Sequence, residues 1–177
     1  MKEKVLSEKT IYKGKILNLI VKEARMPNGR VTTREIIDHG DVIMVAPILN
    51  NGKIIIVKQY RLAAQKITLE LPAGRMDPGE TSTESVHREL REETGYIAKK
   101  LKKLISFYPA IGYSTEKIHF FVARNLTQKD PDPDEDEFID VIKLSLPQAL
   151  KKVESGEIVD SKSILGILYL AQHKIIS

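Results

Sequence analysis

GRMDPGETSTESVHRELREETGY, residues 74–96, decides how the rest of the chain is read. Thr81 with Glu84, or Ser82 with Ser85, has the spacing of a capped helix start, and Gly95 supplies the left-handed stop after Thr94. The segment between them is therefore predicted to be a helix. On it Glu89, Glu92 and Glu93 share one face about 100° wide. Val86 and Leu90 lie beside them, so the acids border the apolar stripe rather than pointing squarely at solvent. Arg88 and Arg91 are expected to project toward the other side and to be poor partners for the three acids. Like charges at this spacing repel, and a hard divalent cation is an economical neutraliser for a set of oxygen ligands. Taken alone, the three glutamates also fit an acidic stripe on a surface helix.

Upstream of this helix the chain alternates like strands. Residues 15–26 and 31–39 flank Pro27-Asn28-Gly29 and are predicted to form an antiparallel hairpin. Residues 42–49 read as a buried strand, 53–60 as its return after Asn50-Asn51-Gly52, and 67–71 as a short strand ending at Pro72. Downstream, strands are expected at 101–108, 117–123 and 138–144, then helices at 147–153 and 163–174. The fold class is α+β: a mixed β-sheet sandwiched between helices (α/β/α), extended at the N-terminus by the hairpin. Residues 1–40 are expected to form the N-terminal strand segment and 41–177 the main domain.

The 177 residues suffice for one domain of ordinary size, and 42% hydrophobic against 29% charged residues argues for a packed core rather than disorder. The absence of cysteine excludes disulfides, thiol nucleophiles and thiolate zinc sites. No apolar stretch approaches the ~20 residues of a membrane span, and the charged start MKEKVLSEKT has no signal core, so a cytoplasmic protein without a membrane partner is expected. His39, His87, His119 and His173 are not spaced as metal ligands and are expected on the surface or in packing. The net charge of +4 hides a concentrated acidic segment, DPDPDEDEFID at 130–140, with seven acids and no base. Such an asymmetry suits an anionic substrate handled with a cation, although on charge alone a solvated acidic loop is the simpler reading.

Gly74, Glu80, Arg88-Glu89-Leu90, Glu92-Glu93 and Gly95 stand at the spacings of the Nudix hydrolase signature, and the chain is identified by resemblance as a member of that family. The one departure is Tyr96, where the family usually has an aliphatic residue. The resemblance implies the Nudix fold and a magnesium-dependent phosphoanhydride hydrolase, with manganese as a substitute. It implies Glu89 and Glu93 as principal metal ligands, the Ala73 carbonyl completing a site, Glu92 assisting as ligand and in catalysis, Arg88 orienting the glutamates, and Glu80 in a structural or peripheral role.

The flanks Gln59-Tyr60-Arg61, Glu70-Leu71-Pro72-Ala73 and residues 108–117, YPAIGYSTEK, resemble the ADP-ribose pyrophosphatase subgroup. That resemblance implies cleavage of ADP-ribose to AMP and ribose 5-phosphate, with GDP-mannose or ADP-glucose as alternative substrates. Arg61 and Arg34 would then contact the phosphates, and Glu70 and Glu116 would line the site. Glu135, or failing it Glu137, would be the general base on the acidic loop. Ala110-Ile111 depart from the subgroup's usual residues, which bears on fine substrate preference. A homodimer with swapped N-terminal strands is also implied. An ADP-ribose sensor without hydrolysis is disfavoured because every glutamate of the signature is present. An RNA 5′-end hydrolase is disfavoured because Lys99, Lys100, Lys102 and Lys103 read as a solvated strand edge, so no nucleic-acid partner is expected.

Overall fold

The computed structural model describes residues 2–129 and 138–176. In chain order the elements are β1 (Lys4–Lys13), β2 (Leu17–Arg25), β3 (Val31–His39), β4 (Val42–Pro47), β5 (Ile54–Arg61), β6 (Lys66–Glu70), β7 (Ala73–Arg75), α1 (Ser82–Thr94), β8 (Tyr96–Phe107), β9 (Ile118–Gln128), β10 (Asp140–Leu144), α2 (Leu146–Glu154) and α3 (Ser161–Gln172). The described residues fall into two compact units, 2–41 with 107–118, and 42–106 with 119–129 and 138–176.

The first unit is an antiparallel sheet of order β1-β2-β3. The expected hairpin is β2–β3, closed where the Gly29 amide donates to the Met26 carbonyl with Gly29 at φ 86°. That positive φ is what the Pro-Asn-Gly signal calls for. β1 lies inside the expected strand segment 1–40 but had no bounds of its own, because every one of its positions is exposed and no apolar alternation marks it. Residues 107–118, which the boundary at 40/41 assigned to the main domain, belong to this unit. The Ile37 amide donates to the Tyr113 carbonyl and the Thr115 amide to the Ile37 carbonyl, pairing the segment with β3.

The second unit contains two sheets, of order β7-β4-β9-β8 and β10-β5-β6. Alternation along β4 explains why helices cover both faces. Ile43 and Val45 share a buried cluster with Val86 and Leu90 of α1. Met44, pointing the opposite way, meets α3 at Gly166, where an added Cβ would lie 3.1 Å from Met44, 2.6 Å from Leu71 and 3.3 Å from Phe120. β9 repeats this, with Phe121 and Ala123 toward α1 and Phe120 edge-on to Tyr169 of α3. The mixed sheet between helices is thus the observed architecture. A second cluster, Ala149, Ile158 and Ile167, joins α2 to α3.

α1 runs between the expected signals: Thr81 is the N-cap of a capping box with Glu84, and Gly95 at φ 69° donates to the Arg91 carbonyl. β8 starts earlier than predicted because its exposed lysines at 99, 100, 102 and 103 mask the strand period. As the outer strand of its sheet, it carries the charge that discourages edge pairing. β7, a three-residue strand directly after Pro72, is too short to have been predicted. Among the described residues no helix is long and apolar enough to cross a membrane.

Candidate active site

α1 buries two of its carboxylates. Glu89 is 8% and Glu93 5% exposed, because Val86 and Leu90 anchor the neighbouring stripe in the core and hold the acid-bearing flank against β7. Gly74 makes that approach possible. A Cβ built there would lie 1.9–2.3 Å from the Glu89 carboxyl group, so only glycine leaves room for the carboxylate. On the preceding residue of β7, the Ala73 amide donates to Glu93 Oε2 at 3.1 Å. One strand of three residues therefore touches both buried acids.

Arg88 does not turn away from the acids as expected. Its Nη1 donates to Glu89 Oε1 at 2.7 Å and Glu92 Oε2 at 3.0 Å. Its Nε and Nη2 reach Glu80 at 3.1 and 3.0 Å, and Nη2 also donates to the Arg75 carbonyl at 2.9 Å. A projection of Cα positions misses this, because a long side chain with five donors bends across the flank formed by i, i+1 and i+4. The hydrogen bonds that Arg88 donates to Glu80, then those to Glu89 and Glu92, bind the guanidinium proton more tightly against the opposing effect of burial. Glu80 is pulled below the usual carboxylate range, first by Arg88 and also by the Asp77 amide.

Beside this helix lies a second polar cluster on one face of β5–β6. Glu70, 2% exposed, accepts from Arg61 Nε at 2.7 Å and Nη2 at 2.8 Å, from Thr68 Oγ1 at 2.7 Å and from Lys162 Nζ at 2.8 Å. Arg61 and Glu70, both expected at the substrate, are thus brought together as a bidentate pair. Burial pushes the Glu70 carboxyl up, but the Arg61 hydrogen bonds and the Lys162 ammonium outweigh it and hold the group at about 2. A depressed carboxylate pKa contributes stability that is complete above the unfolded value near 4.5 and disappears as pH falls toward 2. The shift corresponds to about 3 kcal/mol. Urea unfolding from pH 5 to pH 2 is expected to show a loss larger by that order in the wild type than in Glu70→Gln. Parallel pH profiles for the two proteins would refute the assignment.

Two of the other expected site residues, Arg34 and Glu116, belong to the first unit. There Arg34 Nη2 donates to Glu3 Oε1 at 2.8 Å and contacts Met26 Sδ at 3.1 Å. The Glu116 amide donates to Ser114 Oγ at 3.1 Å. Glu135 and Glu137 lie outside the described residues. Of the histidines, His119 is buried, with Nδ1 2.8 Å from Ser106 Oγ, and His173 stacks on Tyr169.

Sequence reading passed over Lys162, Asp160 and Ser163. A signal was available: a lysine in the first turn of a helix sits at the positive end of the helix dipole, and needs a reason to be there.

Among the described residues no three Asp, Glu or His side chains already stand as a metal cage. The donor set nevertheless fits a hard divalent cation. Glu89, Glu92 and Glu93 offer only oxygen, two of the three are buried where several negative charges together are costly, and Gly74 leaves room for the Glu89 carboxylate beside β7.

A family model described as the NUDIX domain matches residues 38–162. The chain is 40% identical to the ADP-ribose pyrophosphatase of Bacillus subtilis (strain 168), over 96% of its length and 93% of the relative's. It is 39% identical to the methanol dehydrogenase activator of Bacillus methanolicus, covering 95% and 92%, and 32% identical to the GDP-mannose pyrophosphatase of Citrobacter koseri, covering 99% and 96%. A solved structure of an ADP compounds hydrolase superposes with a TM-score of 0.87 at 22% identity, covering 97% of this chain and 94% of that one, and shares its fold.

Proposed function

Because the chain belongs to the Nudix hydrolase family, we propose that it is a divalent-cation-dependent pyrophosphohydrolase that cleaves ADP-ribose to AMP and ribose 5-phosphate. The observation that carries this reading is the pair of buried carboxylates, Glu89 and Glu93, held on α1 against Gly74 and Ala73 beside the Arg61–Glu70 pair. The preference for ADP-ribose leans on the 40% identical relative of that name.

Hydrolysis adds one water across the phosphoanhydride: a new P–O bond forms, the bridging P–O bond breaks, and a carboxylate takes the water's proton. Glu89, Glu92, Glu93 and the Ala73 carbonyl would hold magnesium, with manganese as a substitute. When bound, the cation neutralises phosphate charge and makes a water more acidic. Arg88 orients Glu89 and Glu92 through the hydrogen bonds described above. Arg61 uses Nε and Nη2 on Glu70, which leaves Nη1 on a 43% exposed side chain as a donor for a phosphate oxygen. Arg34 and Glu116 are further substrate contacts, and Glu135, or else Glu137, is the base. The N-terminal strands form a homodimer, a reading supported by the exposed Val5, Leu6, Ile11 and Tyr12 of β1.

The test is a panel of ADP-ribose, ADP-glucose and GDP-mannose incubated with magnesium, with products separated by chromatography and the protein's mass taken by light scattering. AMP with ribose 5-phosphate, formed fastest from ADP-ribose by a particle of twice the chain mass, is expected. The GDP-mannose pyrophosphatase relative gives the second reading its footing, and GMP as the dominant product would establish it in place of the first. A particle of single-chain mass would overturn the dimer.

A further inference from the structure

The first turn of α3 carries an arrangement that the helix does not need for itself. Asp160 is the N-cap, and its Oδ2 accepts from the Ser163 amide at 3.0 Å and from Ser163 Oγ at 2.5 Å. Ser163 Oγ in turn accepts from the Leu71 amide at 2.8 Å, so one buried hydroxyl joins the helix cap to the segment after β6. Lys162, at the second helical position, bridges Asp160 Oδ1 at 2.9 Å and Glu70 Oε2 at 2.8 Å, with its side chain 16% exposed. A cation there opposes the helix dipole and gives up most of its hydration, so α3 alone gains little from it.

What Lys162 does complete is the coordination of Glu70. An ionised carboxylate has about four acceptor positions, and those of Glu70 are filled by two bonds from Arg61, one from Thr68 and one from Lys162. Glu70 therefore has no acceptor position left for a substrate hydroxyl, and its orientation is set from three sides. The same short segment is held at each successive residue: Leu71 by Ser163, the Pro72 carbonyl by the Val45 amide at 2.9 Å, and the Ala73 amide by Glu93. Arg61, besides its bonds to Glu70, is stabilised by the charges of Glu93 and Asp160, which places it within electrostatic reach of both the carboxylate helix and the α3 cap.

We propose that Lys162 is a positioning residue for the reaction: it locks Glu70, and through Glu70 fixes the direction of the Arg61 guanidinium toward the substrate's phosphate. This rests on the hydrolase reading above and assigns Glu70 the task of aiming Arg61 rather than touching substrate. Losing the lock leaves the signature glutamates in place, so the effect falls on substrate binding more than on turnover.

The experiment is steady-state hydrolysis of ADP-ribose by wild type, Lys162→Met, Lys162→Arg, Arg61→Gln and the double variant Lys162→Met/Arg61→Gln, each checked for cooperative thermal unfolding. Lys162→Met is expected to raise KM about 10-fold with kcat within about threefold, corresponding to a coupling of ordinary size. Lys162→Arg is expected to recover most of the loss. In the Arg61→Gln background the methionine substitution is expected to change KM by less than about twofold, because the residue through which Lys162 acts is gone. An unchanged KM in Lys162→Met, or KM effects that multiply in the double variant, would overturn the proposal. If Lys162→Met does not fold, Lys162→Gln takes its place under the same criteria, and failure of both to fold would make Lys162 a stability residue and overturn it as well. Wild-type turnover reports separately on the hydrolase reading. Should the wild type bind ADP-ribose without cleaving it, that reading fails, and the same variants are compared by calorimetric affinity with the same expected ratios.

Discussion

Glu93→Gln is expected to lower kcat by at least on the order of 100-fold while leaving the protein cooperatively folded. Glu93 is 5% exposed and lies in the last turn of α1, where a negative charge meets the negative end of the helix dipole. Burial and helix position work against the carboxylate, while the nearby Arg61 charge works in its favour, so removing the charge is not expected to unfold the chain. Glutamine keeps an oxygen that can accept from the Ala73 amide, now 3.1 Å from Glu93 Oε2, while it removes the charge and turns the second oxygen into an NH2 donor. Outer-sphere changes at metal sites already cost about 10–100-fold, and loss of a ligand's charge should cost more. Kinetics and thermal unfolding on the same preparation check this. Activity within fivefold of wild type would remove Glu93 from the chemistry.

Gly74→Ala tests the opposite wall of the site. The new Cβ would stand 1.9 Å from Glu89 Oε1, 2.0 Å from its Cδ and 2.3 Å from its Oε2, distances at which something must move. The group that can move is the end of the Glu89 side chain, which would have to break its 2.7 Å bond to Arg88 Nη1. The cost therefore falls on the placement of a carboxylate rather than on the core. A loss in kcat/KM on the order of 10–100-fold, with a raised magnesium requirement and a melting temperature within a few degrees of wild type, is expected. Wild-type kinetics in this variant would mean that Glu89 does not need its observed position.

Much of this site could be read from residues 74–96 because its determinants are local. A capping box, a left-handed glycine and carboxylates at helical spacing act within a few residues of one another, and α1 begins and ends where they say. The β2–β3 hairpin was legible for the same reason. Features that depend on distant partners were not. Arg88 bends across its own helix to collect Glu80, Glu89 and Glu92, and the spacing alone suggested the reverse. Lys162 and Glu70 meet across 92 positions of chain, so nothing near either residue announces the pair. β1 left no apolar period to detect, since its whole length is exposed. Glycine at 74 was readable as part of a pattern, but its physical reason, the lack of room beside Glu89, required coordinates.

The central claim is that the buried carboxylates of α1 serve a cation-dependent cleavage of a nucleoside diphosphate sugar. Its most direct test is the time course of ADP-ribose with the wild-type protein, run in parallel with magnesium and with excess chelator, with AMP and ribose 5-phosphate quantified together. Equal amounts of the two products with magnesium, and neither with chelator, is the result expected. Product formation that is indifferent to the chelator, or ADP-ribose bound and recovered intact in the presence of magnesium, would contradict it.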